Sequence, residues 1–323
     1  LTYKNLKVYY LPFPFIWPPY LFNLFIIPYL FYIYKKEKFN ILRIHSPYFV
    51  GLAGLFFKLF HPRIKLITTY HHLEEKKPFF DLIDKLFINY WSHIVSMSNS
   101  TKSELITRYH LKKSKISVVY NGINPKFKPK KRKKDLVKKY KLGNKKVLLF
   151  LGGLSKRKNV GFLLKIISRI KEPNIKLLIC GKGSLFDQLN KQVKELKLEE
   201  KVIFTDFVSE KEKTDYYNLA DVFLFPSKKE GFGLSVMEAS ACGIPSIVSD
   251  ITSLREVVID KKTGYLTKLN NLEDWQRKIR KLLINGDLRK QMGQSARKFS
   301  QKFSWEKSAK KQIDIYQSLV TSH

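Results

Sequence analysis

The chain has 323 residues, and its 61 Lys+Arg against 27 Asp+Glu leave a formal net charge of +34. That length suggests two domains, and with 44% hydrophobic and 14% aromatic residues it can build large cores, which excludes disorder as a description of the whole. The two cysteines, Cys180 and Cys242, lie far apart in apolar surroundings, which excludes a disulfide framework or a cysteine metal site and fits a reducing compartment.

The sequence begins at Leu1 rather than Met and reads as truncated or processed there. No charge occurs between Lys7 and Lys35, over Val8–Tyr34, a length that would permit a membrane span. Pro12, Pro14, Pro18, Pro19 and Pro28 interrupt it, and each would cost a helix interior about 3 kcal/mol. The segment therefore reads as a strand, a Pro-rich loop and a short apolar helix that is either buried core or an interfacial patch.

Alternation follows. Ile41–Ile44, Ile64–Thr69, His93–Met97 and Ser117–Tyr120 read as strands, with helices at Tyr48–Phe60, Phe79–Tyr90 and Lys102–Tyr109. A basic linker covers residues 126–144 between a first domain, 1–125, and a second, 145–300. The second domain offers strands at Lys146–Leu151, Lys176–Cys180, Val202–Thr205, Val222–Pro226 and Pro245–Val248. Helices follow at Leu272–Leu283, Asp287–Phe299 and Trp305–Val320, and the last, within 301–323, would present Trp305, Ile313, Tyr316 and Leu319 as its apolar face. Strands alternating with helices predict two doubly wound, parallel α/β domains with a ligand cleft between them.

Three strand-to-helix junctions carry chemistry. Gly152-Gly153-Leu154-Ser155-Lys156-Arg157-Lys158-Asn159 joins a glycine turn to three cations, which suits a phosphate at a helix N-terminus as well as it suits a plain turn in a lysine-rich protein. Gly181-Lys182-Gly183 is similar, but no third glycine completes a dinucleotide fingerprint and no Walker sequence occurs. The most informative segment is Pro226-Ser227-Lys228-Lys229-Glu230-Gly231-Phe232-Gly233-Leu234-Ser235-Val236-Met237-Glu238. Its glycines free the backbone to approach a ligand. Glu230 lies before the helix and Glu238 about two turns inside it, so the two carboxylates can address different parts of one ligand. The alternative is an acidic first turn with a capping role.

This segment resembles the E-x7-E motif of retaining GT-B glycosyltransferases of the family-4 type, the glycosyl transferases group 1. The flanks Ala220–Ser227 and Ala239–Pro245, then Arg255-Glu256-Val257-Val258 and Thr263-Gly264-Tyr265-Leu266, are similar to the family's continuation. Ile44-His45-Ser46, Thr69-Tyr70-His71, Val95–Ser98 and Val119–Ile123 resemble its first-domain landmarks. The resemblance runs from about residue 40 to the end. It implies a GT-B fold of two Rossmann-like domains and transfer of a sugar from a nucleotide-sugar donor, with retention, to a glycan or lipid-linked acceptor.

On that resemblance Glu238 bonds the ribose, Glu230 the transferred sugar, and the backbone of Gly231, Phe232, Gly233 and Leu234 faces sugar and diphosphate. Lys158, with Gly152, Gly153 and Arg157, meets the departing diphosphate. Gly181, Gly183, Phe207 and Val208 lie near the base, and His71 stands beside the sugar; from the residues alone, a histidine at a strand end is more often structural. Preorganised cations and N–H donors stabilise the leaving diphosphate, and no D-x-D metal motif occurs, so no cofactor or metal is expected. The family often has Arg where Gly153 stands, leaving Arg157 or Lys156 to supply that charge. Its usual first strand and glycine-rich loop do not appear in this sequence.

The sequence pI of about 9.9 points to anionic partners, read here as peripheral contact with an anionic membrane at its cytoplasmic face; a lysine-rich surface is equally a habit of proteins from hot habitats. Nucleic acid is disfavoured because no helix-turn-helix, zinc or RNP-type motif accompanies the charge. The rival readings are a same-fold sugar phosphorylase or nucleotide-sugar epimerase, and a non-catalytic membrane- or polyanion-binding relative.

Overall fold

The structure, a computed structural model, describes residues 7–9, 21–45, 47–73 and 78–321. By residue contacts the chain divides into two units, residues 1–70, 74–95 and 319–323, and residues 71–73 and 96–318.

In the first unit run α1 (Phe22–Glu37), β1 (Ile41–His45), α2 (Pro47–Phe60), β2 (Lys65–Tyr70), α3 (Pro78–Phe87) and β3 (His93–Ser96). Its strands follow the order β1-β2-β3, and β4 (Ile116–Val118) falls in the second unit. β1 and β2 pair in parallel from Ile41 opposite Lys65 to His45 opposite Thr69. The apolar helix expected near the start is longer than predicted, because α1 runs straight through Pro28. Pro28 and Leu24, whose carbonyl loses its helical donor there, are both exposed, so water can satisfy that carbonyl. The strand and Pro-rich loop expected before it fall largely outside the described residues, as does Ser46. No helix among the described residues is long and apolar enough to cross a membrane.

α1, α2 and the turn after α3 leave an apolar groove of about 820 Å³, lined by Leu24, Ile27, Leu52, Phe56, Leu59 and Tyr90 among others. Lys58 stands in its wall and donates to Ser92 Oγ at 3.1 Å; burial lowers its pKa.

The second unit is built on a parallel sheet of six strands: β5 (Lys146–Leu151), β6 (Ile175–Cys180), β7 (Val202–Asp206), β8 (Val222–Phe225), β9 (Ser246–Ser249) and β10 (Gly264–Thr267). Their order is β10-β9-β8-β5-β6-β7. β5 sits where the order reverses, and its Val147–Phe150 are completely buried, the continuous apolar run of a strand covered on both faces. β10 was not predicted; Tyr265-Leu266-Thr267 between Gly264 and Lys268 is too short a run to stand out from a turn.

The helices of this unit are α4 (Asn99–Tyr109), α5 (Lys134–Lys139), α6 (Val160–Ser168), α7 (Phe186–Glu195), α8 (Lys213–Tyr217), α9 (Leu234–Ala241), α10 (Leu272–Ile284), α11 (Gly286–Ser300) and α12 (Trp305–Thr321). α4 starts three residues earlier than expected because Ser98 Oγ accepts from the Thr101 N–H at 3.0 Å, an N-cap that the helical pattern alone does not reveal. Asn271 and Asn285 cap α10 and α11 in the same way, each at 2.9 Å.

The lysine-rich stretch 126–144 contains α5 and packs its Tyr140 and Leu142 into the core, while Arg132 pairs with Asp221 at 2.7 Å. On α12 the expected face needs correction. Trp305 and Ile313 are about half exposed, whereas Ser308 and Ile315, seven residues apart, are buried, and Leu319 four residues further on is half-buried, the spacing of a single helix face. Cys180 and Cys242 are both buried, and burial pushes each thiol up to about 12.

Trp275, on α10, is completely buried and meets Phe162 edge to face at 5.9 Å. Trp275→Ala is expected to destabilise by about 3–5 kcal/mol, read as a lower urea midpoint at unchanged m-value.

Candidate functional site

The three glycine-bearing junctions all leave the carboxyl ends of β5, β6 and β8, next to the reversal of strand order, which is where open α/β sheets bind ligands. Backbone hydrogen bonds join them. Gly152 N donates to Cys180 O at 3.0 Å, Leu154 N to Lys182 O at 2.9 Å, Gly181 N to Asp206 O at 2.8 Å, and Lys228 N to Arg157 O at 2.9 Å. Gly181 has φ +145°, and a Cβ there would stand 2.0 Å from the carbonyl oxygen of Gly152. The loops meet this closely only because that residue has no side chain.

A compact charge cluster sits on this frame. Glu230 Oε1 accepts from Lys158 Nζ at 2.8 Å and from Ser227 Oγ at 2.6 Å, and Arg157 lies 2.8 Å from the same oxygen. Arg157 also donates to Lys229 O at 2.7 Å. The Lys158 ammonium lies 4.4 Å from the centre of the Phe225 ring. Burial lowers the Lys158 pKa, the adjacent Glu230 carboxylate opposes that shift, and Arg157 adds to it. Side-chain exposure is 12% for Lys158 and 9% for Glu230, so the attraction is little screened by water.

Glu238 lies inside α9 at 4% exposure, and the Tyr217 hydroxyl donates to its Oε2 at 2.7 Å. Burial raises the carboxyl pKa, opposed by this bond and by Lys213. Burial also raises the Tyr217 pKa well above its usual value, so the phenol stays a donor. Glu230 and Glu238 have separate partners: the first belongs to the cation cluster, the second to the tyrosine. Of the two cations weighed as substitutes beside Gly153, Arg157 enters the cluster, while Lys156 is exposed and lines a surface pocket with Lys165 and Lys228.

The remaining predicted residues divide by exposure. Phe207 is 67% exposed and Leu234 38%, whereas Val208 and Phe232 are buried and can offer a ligand only their backbone. Gly183 packs against Leu154, and Gly153 has only Lys182 O near it, 3.8 Å from where a Cβ would stand. The carbonyl of His71 abuts Gly231 so closely that a Cβ on Gly231 would lie 1.8 Å from it; His71 itself is exposed. Sequence reasoning missed Ser227 and Tyr217. Ser227 was visible beside Glu230, but Tyr217 reaches Glu238 across 21 residues of chain and carried no signal.

Two family models match the chain: Glycosyl transferases group 1 over residues 131–299 and Glycosyltransferase Family 4 over residues 3–127. An uncharacterized glycosyltransferase of Methanocaldococcus jannaschii is 29% identical over 69% of this chain and 59% of its own length. N-acetyl-alpha-D-glucosaminyl L-malate synthase of Bacillus anthracis is 28% identical over 88% of this chain and 76% of its own. The chain thus spans about three fifths of the first relative and three quarters of the second.

Among solved structures, the sucrose-phosphate synthase of Thermosynechococcus elongatus superposes with TM-score 0.82 at 21% identity, over 92% of this chain and 78% of that one. Anabaena HepE, in complex with UDP and glucose, superposes with TM-score 0.81 at 17% identity, over 90% and 82%. The fold is therefore GT-B, and the chain belongs to the glycosyl transferases group 1 family.

Proposed function

We propose that this chain is a retaining glycosyltransferase that moves a sugar from a nucleotide-diphosphate donor to a glycan or lipid-linked acceptor without a metal ion. The observation that carries this reading is the shared Glu230 oxygen with Lys158, Arg157 and Ser227 around it, at the carboxyl ends of β5 and β8. Anabaena HepE, with the same fold, is solved with UDP and glucose.

In this mechanism Lys158 and Arg157 turn part of their charge from Glu230 to the donor diphosphate as the glycosyl–phosphate bond breaks. Fixed cations lower that barrier because the charge they meet grows in the transition state. All three contacts of Glu230 use Oε1, which leaves Oε2 for hydroxyls of the transferred sugar. Glu238 accepts from the ribose hydroxyls, aimed by Tyr217. The N–H groups from Gly231 to Leu234 face sugar and diphosphate, and His71 stands at the reacting end. The departing phosphate takes the acceptor's proton on the face it leaves, so the anomeric configuration is kept and no enzyme nucleophile is needed.

The apolar groove of the first unit supports a lipid-linked acceptor and seating on an anionic bilayer. Its exposed Leu24 and Leu59 enter the acyl region, while Lys58 and the lysines ending α1, Lys35 and Lys36, stay at headgroup level.

Five outcomes test these statements. In EDTA, one of UDP, GDP and ADP stabilises the protein in a thermal-shift screen. Its affinity falls by about 1–3 kcal/mol in Glu238→Ala. The raised carboxyl pKa of Glu238 means that affinity declines with acidification above the ordinary carboxylate range, and this decline is lost in Glu238→Gln; calorimetry between pH 8 and pH 5 checks it. No stabilisation by any of the three, with a cooperative melt, refutes the donor reading.

Lys158→Ala lowers turnover by about a hundredfold or more while donor affinity falls less, as measured by single-turnover and binding assays; the reverse pattern removes Lys158 from the chemistry. Finally, Leu24→Glu/Leu59→Glu abolishes pelleting with phosphatidylglycerol vesicles. Unchanged pelleting would leave net charge alone as the cause.

A further inference from the structure

Glu256 ends a single 3₁₀ turn, Leu254–Glu256, between β9 and β10. Its Oε1 accepts from the Ser100 N–H at 2.8 Å. Its Oε2 accepts from the Asn99 N–H at 2.9 Å, from Asn99 Nδ2 at 3.2 Å and from the Tyr120 hydroxyl at 2.8 Å. Ser98 already caps α4 through Thr101, so Glu256 takes two further N–H groups that the helix cannot satisfy itself. One side chain thus serves four donors at once, through both of its oxygens. Ser100 Oγ and Thr252 Oγ1, 2.6 Å apart, close the same junction.

The turn also touches the loop that precedes α9. Leu254 and Val257 pack on Gly233, where a Cβ would lie 2.7 Å and 3.3 Å from their methyl groups. The Tyr120 ring, whose hydroxyl donates to Glu256 and accepts from Asn99 Nδ2 at 2.5 Å, lies 5.5 Å from the Phe232 ring, and Phe303 completes the triangle at 5.4 and 5.6 Å. Phe232 stands between two glycines, and Gly233 has φ +93°. A segment of that composition has little stiffness of its own, so the aromatic wall around Phe232 sets where its N–H groups point.

We propose that Glu256 is a positioning residue for the donor: through Tyr120 it holds Phe232, and with it the N–H groups of Gly231–Leu234, in the geometry that receives a diphosphate. This rests on the donor reading above. None of the residues that carry the effect needs to touch the ligand by its side chain.

Tyr120→Phe is the informative variant, because it frees the ring from Glu256 and leaves the cap on α4 intact. Calorimetry with UDP, GDP and ADP first identifies the nucleotide that binds the unaltered chain, and that diphosphate is then compared with its monophosphate. Tyr120→Phe is expected to weaken the diphosphate about fivefold and the monophosphate little, with a near-normal melt. Glu256→Gln should do the same, and the double variant should bind no worse than the weaker single. Equal weakening of both nucleotides, additive effects, or unchanged diphosphate affinity in folded Tyr120→Phe overturns the proposal. If no diphosphate binds the unaltered chain, the donor reading fails and this one with it; binding that Tyr120→Phe leaves untouched sinks this one alone.

Discussion

Two lysine-bearing loops, one after β5 and one after β8, are drawn together on a single oxygen of Glu230. The pair is nearly dry, and burial alone would push the Lys158 ammonium toward its neutral form. Glu230 opposes this shift without cancelling it, and Arg157 adds to it. The arrangement depends on the reversed strand order, which places β8 beside β5 although β6 and β7 intervene in sequence. Strands β5 and β8 pair from Leu148 opposite Val222 to Leu149 opposite Phe223, and that register brings Lys158 and Glu230 to one height. A slip of one residue would turn every side chain of β8 to the other face.

Much of this was legible because the motifs sit at places the chain marks twice. An apolar run ends, glycines follow, and a helix begins; the junctions after Leu151, Cys180 and Phe225 all have that form. The spacing of Glu230 and Glu238 added a family resemblance that composition could not supply. What stayed hidden acts through space. Tyr217 is one of two adjacent tyrosines in a short helix, and nothing local says that it aims Glu238. Glu256 reaches Asn99 across 157 residues. The length of α1 was hidden for another reason: Pro28 breaks a helix in general, and only its exposure on this one spares the helix. The α12 stripe was misjudged because Trp305 and Ile313 carry more hydrophobic weight in sequence than they bury in the fold.

The large positive charge is mostly spent elsewhere than at the candidate site. Lys158 and Arg157 are engaged there, whereas Lys156, Lys165 and Lys228 surround a separate surface pocket and Lys58 belongs to the apolar groove. A charge count over the whole chain thus says little about the site. It bears on long-range attraction, which falls with salt, while the Lys158–Glu230 pair is too buried to be screened much.

The two cysteines lend the fold a further property. Cys180 closes β6, and its carbonyl receives the Gly152 N–H that joins two of the glycine-bearing loops; Cys242 follows α9 directly. With both thiols sealed and held protonated, neither reacts as folded, since it is the thiolate that attacks. Alkylation by a maleimide therefore becomes a clock for local opening of the second sheet, with one thiol at the end of β6 and the other just after α9. The native chain carries its own reporter of ligand-induced rigidity, with no label to be engineered.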